Sequence, residues 1–338
     1  MNTAVGLAVS VLPVFLFLGA LVFLDSYKLI PPRAILFAIA AGAVAAVAGY
    51  GANVSLQPAL ALDTTRYTIY VGPAIEEMLK AIYIVWLLRR NKVGFVVDAA
   101  TYGFAIGTGF AFVENIYSLQ MHPNSTVWTW IVRGFGTALM HSGTTAIFAM
   151  ISRTLHNRSQ AIRPVLLLPG LAAAVVLHSL YNRFLVAPLL ATALIVLVFP
   201  YIVMFLFQKS ERETRSWLGT GFDTDQELLR VMRAGEVKDT PVGIYLRGLR
   251  TSFPAEVIVD MMCMLRLRAE LGIRAKGMLL MREAGFEADP DPSLPAKLEE
   301  VRYLERSIGR TGMRALKPFV QTSTQDLWQL NLLDGTQR

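Results

Sequence analysis

The feature that most limits what this chain can fold into is a succession of apolar runs, each about 18 residues or longer, continuing as far as residue 207. A run of that length crosses a hydrocarbon core of about 30 Å, and only a helix or a closed barrel satisfies its own backbone there. Composition points the same way. The chain is 54% hydrophobic and only 17% charged, with a mean hydropathy of +0.46. A soluble domain carries roughly a quarter charged residues. The expected fold is all-α: a polytopic transmembrane helix bundle followed by a helical tail.

Apolar windows predict seven spans, near residues 4–24, 34–54, 67–88, 94–119, 127–151, 163–182 and 185–207, with Asp98 and Pro169 interrupting the fourth and sixth. Lys28 and Arg33 follow the first span, Arg89, Arg90 and Lys92 the third, Arg153, Arg158 and Arg163 the fifth, and Lys209, Arg212 and Arg215 the seventh. The alternate loops offer Arg66, no basic residue over 120–126, and Arg183. By the positive-inside rule the amino terminus is outside and the tail cytoplasmic. This divides the chain into a transmembrane domain, 1–207, and a cytoplasmic helical domain, 208–338. Residues Met1 to Ala4 carry no Lys or Arg and no small-residue cleavage site follows, so the first span is expected to remain in the mature protein.

The net charge of +7 belongs to the membrane half. From Lys209 onward there are 20 of the 32 basic and 19 of the 25 acidic residues, which leaves the tail near neutral. No nucleic-acid partner is indicated. The single Cys263 excludes an intrachain disulfide and a Cys-rich metal site. In the tail, Asp223 and Asp225 are expected to begin a helix that Gly235 ends. Pro254 is expected to open another that Gly272 closes. Asp289 to Pro292 reads as a linker, and Ser323 with Asp326 as a capping box. The Met261–Leu265 run is too closely followed by Arg266, Arg268, Arg274 and Lys276 to be a span.

Function is to be sought among ionisable residues inside the spans, each costing about 2.5–3.5 kcal/mol at a span centre and therefore usually paired or facing a cavity. Glu76, Glu77 and Lys80 fall in the third span, Glu114 in the fourth, Arg133 and His141 in the fifth, and His178 and Asn182 in the sixth. Lys80 lies four residues past Glu76 and three past Glu77, so it can neutralise one carboxylate and leave the other to serve as a general base. His178 and Asn182, four apart on one helix face, suit a developing oxyanion or an interhelical hydrogen bond. Phe110, the Ala/Gly-rich stretch 38–52, and Gly103, Gly107 and Gly109 read as packing. By helical rise the carboxylates and His178 lie roughly 7–14 Å beneath the outer ends of their spans, a layer that admits water from outside.

The pattern Glu76-Glu77-x-x-Lys80, Phe110-x-x-x-Glu114, a polar fifth span with His141, then His178-x-x-x-Asn182 resembles the PrsW family of intramembrane proteases, within the wider group that includes CAAX prenyl-protease-like membrane enzymes. The resemblance covers about residues 67–182. It implies hydrolysis of a peptide bond in a single-span membrane protein, such as site-1 cleavage of an anti-sigma factor, in a bacterial cytoplasmic (inner) membrane. One carboxylate of Glu76/Glu77 would activate water, Glu114 would help position it, and His178 and Asn182 would stabilise the oxyanion. CAAX-type relatives carry His where this chain has Glu114 and Arg where it has Lys80, which points away from prenylated substrates.

Catalysis of a glutamate type and of a metal-dependent type both stay open. Zinc is the candidate cofactor, with Glu77, Glu114, His141 and His178 (and Glu76) as possible ligands, and it is not favoured, because three carboxylates are acidic for a zinc site. Two other readings stand beside the protease. One is a proton- or cation-coupled transporter, against which no inverted repeat is evident. The other is a non-enzymatic membrane scaffold. The expected partners are the single-span substrate and the lipid bilayer; oligomeric state is not specified by the sequence.

Overall fold

A computed structural model describes residues 3–25, 27, 29–122, 124–159, 164–286, 291–319, 328, 329 and 333. Lys28, Arg163, Asp289, Pro290, Ser323 and Asp326 lie outside the described residues, as does the side chain of Arg158. Every regular element described is helical, and the chain divides into two compact units, Met1–Ser210 and Glu211–Arg338.

In the first unit, α1 (Thr3–Leu24) and α2 (Pro32–Ala59) precede α3 (Gly72–Arg89), α4 (Val96–Met121), α5 (Ala138–Ser159) and α6 (Leu168–Asn182), and α7 (Pro188–Ala234) begins there. Among the described residues, five stretches are long and apolar enough to cross a membrane: Val5–Leu24, Pro32–Ala59, Val96–Met121, Pro164–Asn182 and Pro188–Ala234. The helices outside that set, α3 and α5, are the ones that carry Glu76, Glu77, Lys80 and His141. Their polarity is what lowers their hydropathy.

α4 is the centre of the unit. Its apolar window is 83% buried against other helices, whereas the windows ending in α6 and containing α7 are 17% and 6% buried. Glycines allow α4 its neighbours. A Cβ on Gly107 would stand 2.3 Å from Cα of Ser142 in α5, one on Gly103 2.6 Å from the Thr145 carbonyl oxygen, and one on Gly109 1.9 Å from the carbonyl oxygen of Ile39 in α2. Only hydrogen fits at such approaches, so these glycines set the interhelical spacing. Asp98, read as an interruption, instead starts α4: Oδ2 accepts from the backbone N–H groups of Gly94 and Phe95, both at 2.9 Å, reaching back to the N-cap residue and the one before it.

Both polar helices are entered through π turns, Tyr67–Val71 before α3 and Val132–Thr137 before α5. Each carries a wider i→i+5 bond, from Gly72 N–H to the Tyr67 carbonyl and from Ala138 N–H to the Arg133 carbonyl. Such turns rotate the side chains that follow and concentrate at functional sites.

The second unit packs α8 (Pro241–Gly248), α9 (Ala255–Glu283) and α10 (Leu294–Leu316) around Met261, Met264, Leu265, Leu271 and Ile308. Two expectations fail here. Asp223 and Asp225 lie inside α7, which ends at Ala234 with Gly235 in the left-handed conformation at φ +73°, as a helix-terminal glycine does. Gly272 does not close a helix, since α9 continues to Glu283. A Cβ there would lie 2.5 Å from Oδ2 of Asp225, so the glycine serves a close approach.

Candidate active site

Glu76, Glu77, Lys80, Glu114, His141 and His178 meet inside the first unit, brought there by α3, α4, α5 and α6. The cluster begins with Glu77. Its side chain is 1% exposed, and its Oε1 takes the Lys80 ammonium at 2.6 Å, Nδ1 of His178 at 2.9 Å and the Thr144 hydroxyl at 3.1 Å. The Lys80 contact is the pairing that the three-residue spacing predicts. A carboxylate only accepts, so His178 must donate from Nδ1, and its neutral ring then keeps a lone pair on Nε2. That Nε2 lies 3.8 Å from Oε2 of Glu76, which is 19% exposed. The two adjacent glutamates therefore differ: Glu77 is held by three donors, and Glu76 keeps an oxygen turned toward an imidazole.

His141 occupies the middle. Lys80 lies 3.3 Å from its Nδ1 and carries only protons to give, so without a metal the ring proton of neutral His141 sits on Nε2, and a metal held by His141 would take the place of one of these two protons. Nε2 faces Oε2 of Glu114 at 2.6 Å. The approach is off the hydrogen-bond direction, and Oε2 is buried without a hydrogen-bond partner. The other oxygen of Glu114 is clamped by Arg133 at 2.9 Å, and Nε of Arg133 donates to Oδ1 of Asn115 at 3.0 Å. Asn115 in turn donates to the Ser10 carbonyl of α1 at 2.7 Å. The His141 and His178 rings stand edge to face with centroids 4.7 Å apart, while Phe110 packs on His141 at 5.0 Å and beneath the Lys80 ammonium at 4.8 Å.

Asn182 stands apart from this cluster. Its amide donates to the Thr68 carbonyl at 3.0 Å, within the first π turn. Its neighbours act likewise: Arg183 bonds the Tyr70 hydroxyl, and the Tyr181 and Thr137 hydroxyls lie 3.3 Å apart. The end of α6 thus ties down both π turns. The sequence assigned Arg133 no role of its own and gave no sign of Thr144, Asn53 or Tyr67, whose contacts with the cluster span helices far apart in the chain. The one available signal was Arg133, a charged residue in otherwise apolar surroundings.

Glu76, His141 and His178 each offer one ligand atom, and these atoms lie within 4.8 Å of one another. Two imidazoles and one carboxylate form a donor set typical of catalytic zinc, which leaves a fourth position open. The surroundings suit a metal as well. Glu77 holds the far nitrogen of His178, as carboxylates do behind metal-bound imidazoles, and the buried, unbonded Oε2 of Glu114 faces the His141 nitrogen. The residues present therefore fit a metal ion.

Comparison with curated proteins and with solved structures finds no match. A family model described as PrsW family intramembrane metalloprotease matches residues 30–207, more than half of the chain. It spans α2 through the apolar part of α7 and contains every residue of the cluster, and on that match the chain belongs to the PrsW family of intramembrane metalloproteases.

Proposed function

We propose that this membrane protease hydrolyses a peptide bond of a single-span membrane protein close to its extracytoplasmic boundary, with residues 1–207 as the protease domain. The observation that carries the reading is the convergence of Glu76, His141 and His178 from three helices. Those residues would hold the metal, zinc by its donor preference, which when bound supplies Lewis-acid activation of water and of the scissile carbonyl.

The chain's own residues divide the remaining work. Glu114 helps to position the attacking water, with its Oε1 held by Arg133 and its Oε2 2.6 Å from Nε2 of His141. Glu77, saturated with donors, orients His178 and does not act as a base. Lys80 offsets the charge of Glu77. The tie from Asn182 to Thr68 favours a role in holding α6 against the π turn over a role at the oxyanion.

The proposed topology has seven spans, the amino terminus outside and residues 208–338 as a cytoplasmic helical domain, supported by basic loops alternating with basic-poor ones. Glu76 is four residues past the start of α3 and His178 four before the end of α6, which in this topology puts both toward the extracytoplasmic face. A substrate backbone must leave its helix before a carbonyl can be attacked, and it does so most readily near a span's end. An anti-sigma factor of a bacterial inner membrane fits that description.

The test is cleavage by protein purified and reconstituted in vesicles with a candidate single-span substrate, the products read by mass spectrometry. The cut is expected within roughly ten residues of the extracytoplasmic boundary, a reach set by the helical rise. A scissile bond in the cytoplasmic half of the span would overturn the depth assignment, and no cleavage of any single-span substrate would overturn the activity.

A further inference from the structure

Only one oxygen of Glu76 faces the imidazoles. Oε2 points toward His178, and Oε1 accepts from Nδ2 of Asn53 at 3.2 Å. Oδ1 of Asn53 accepts in turn from the Tyr67 hydroxyl at 3.0 Å. Donor chemistry gives this chain a single direction. An ionised carboxylate can only accept, so the amide must present Nδ2 to it. Oδ1 then faces Tyr67, whose hydroxyl is left to donate. Tyr67 is 2% exposed and opens the first π turn, and Asn53 stands on α2, 23 residues before Glu76. The terminal torsion of a glutamate is broad, so an unheld carboxylate can turn either oxygen, or neither, toward a given point. The amide removes that freedom, and the hydroxyl keeps the amide from turning over.

We propose that Tyr67 and Asn53 form a hydrogen-bond relay that orients Glu76, holding its Oε2 toward His178 and His141, and so act as positioning residues for the reaction. The inference rests on the reading of Glu76, His141 and His178 as metal ligands. It adds that α2 and the π turn before α3, neither of which supplies a ligand, set how well one ligand is presented. Partners of this kind behind a ligand typically contribute 10–100-fold to metal affinity or activity.

The test uses the full-length protein in detergent. Its probes are Zn²⁺ binding by competition with a chelator, the visible absorption of the Co²⁺-loaded protein, and kcat and KM on one cleavable single-span peptide. Asn53→Leu is expected to weaken Zn²⁺ binding about 10–100-fold and to lower kcat by a similar factor, with KM little changed and the Co²⁺ spectrum altered. Tyr67→Phe, which removes one oxygen, is expected to cost less, and to cost nothing further in the Asn53→Leu background, since its effect passes through the amide. Melting temperatures are read alongside. If Asn53→Leu fails to fold, the Tyr67→Phe spectrum and Zn²⁺ affinity carry the test. Wild-type-like Zn²⁺ affinity, spectrum and kcat in Asn53→Leu, or an equal cost of Tyr67→Phe in both backgrounds, would overturn the relay while leaving the metal reading intact. A wild-type protein that binds neither Zn²⁺ nor Co²⁺ would overturn both.

Discussion

Lys80–Glu77 in the first unit and Lys276–Asp225 in the second are both lysine–carboxylate pairs withdrawn from solvent, with contacts of 2.6 Å and 2.5 Å and both ammonium groups fully buried. Their surroundings differ. Lys276 lies over the Trp217 indole at 5.3 Å, and a Cβ on Gly221 would stand 2.7 Å from its Nζ. Opposite it, Gly272 makes room for Asp225. That pair fills a helix–helix contact that two glycines keep open. Lys80 and Glu77 are instead surrounded by His141, His178 and Thr144. The same two charged groups form a helix–helix tie in one place and part of a cluster with two imidazoles in the other. The neighbours, more than the ion pair, indicate chemistry.

If this contrast is right, variants of the two regions separate cleavage from stability. The largest expected effect is on cleavage. Glu76→Gln and His178→Ala each remove a proposed metal ligand and should lower kcat/KM by at least about 10²-fold, more than the loss of a partner behind a ligand. Circular dichroism and membrane insertion should be unchanged. Unaltered proteolysis in both variants would reduce the cluster to a second architectural tie. A strong chelator should likewise stop cleavage, and Zn²⁺ should restore it, without any shift in the melting of the second unit.

Lys276→Met should do the reverse. Removing one partner of a buried pair costs about 3–5 kcal/mol, so the second unit should melt earlier and proteolyse faster, while kcat below that transition stays at the wild-type value. A stability effect smaller than that of an exposed pair, such as breaking Arg230–Glu227, would show that the contrast is misdrawn.

How far the sequence anticipated this arrangement depends on which kind of contact is asked about. Lys80 reaching Glu77 follows from positions three apart on one helix, and the glycines of α4 announce close packing. Contacts between helices depend on relative rotation and depth, which periodicity does not carry. Asn53 meeting Glu76, Arg133 meeting Glu114 and Asn115 meeting Ser10 were therefore illegible, and the last spans 105 residues. The π turns compound this, because an inserted residue changes the facing of everything after it. Asn182 illustrates the cost: its spacing from His178 suggests a shared task, but its amide is bonded to a π-turn carbonyl. In the second unit, Gly272 and Asp225 looked like helix punctuation because glycine and aspartate usually are, and only their mutual contact reveals the other use.

Smaller effects sharpen the contrast. Glu77→Gln keeps shape and removes charge, so His178 and Lys80 lose their common anion. A drop of about 10–100-fold in activity is expected, read as kcat with KM little changed. Smaller again is Gly107→Ala, whose new methyl would meet α5 backbone at 2.3 Å. Overpacking of that kind costs about 1–3 kcal/mol, measurable as lowered thermal stability. Gly143→Ala, with nothing within 4 Å, should be neutral and serves as its control.

The central claim is that the cluster in the first unit is a metal-holding catalytic site and the lysine pair in the second is not. Elemental analysis of purified wild-type, His178→Ala and Lys276→Met proteins tests it most directly. About one zinc per chain is predicted in the wild type and in Lys276→Met, with His178→Ala far below that, since a catalytic zinc takes three protein ligands. Active wild-type protein without metal, or His178→Ala protein with full occupancy, would contradict the account.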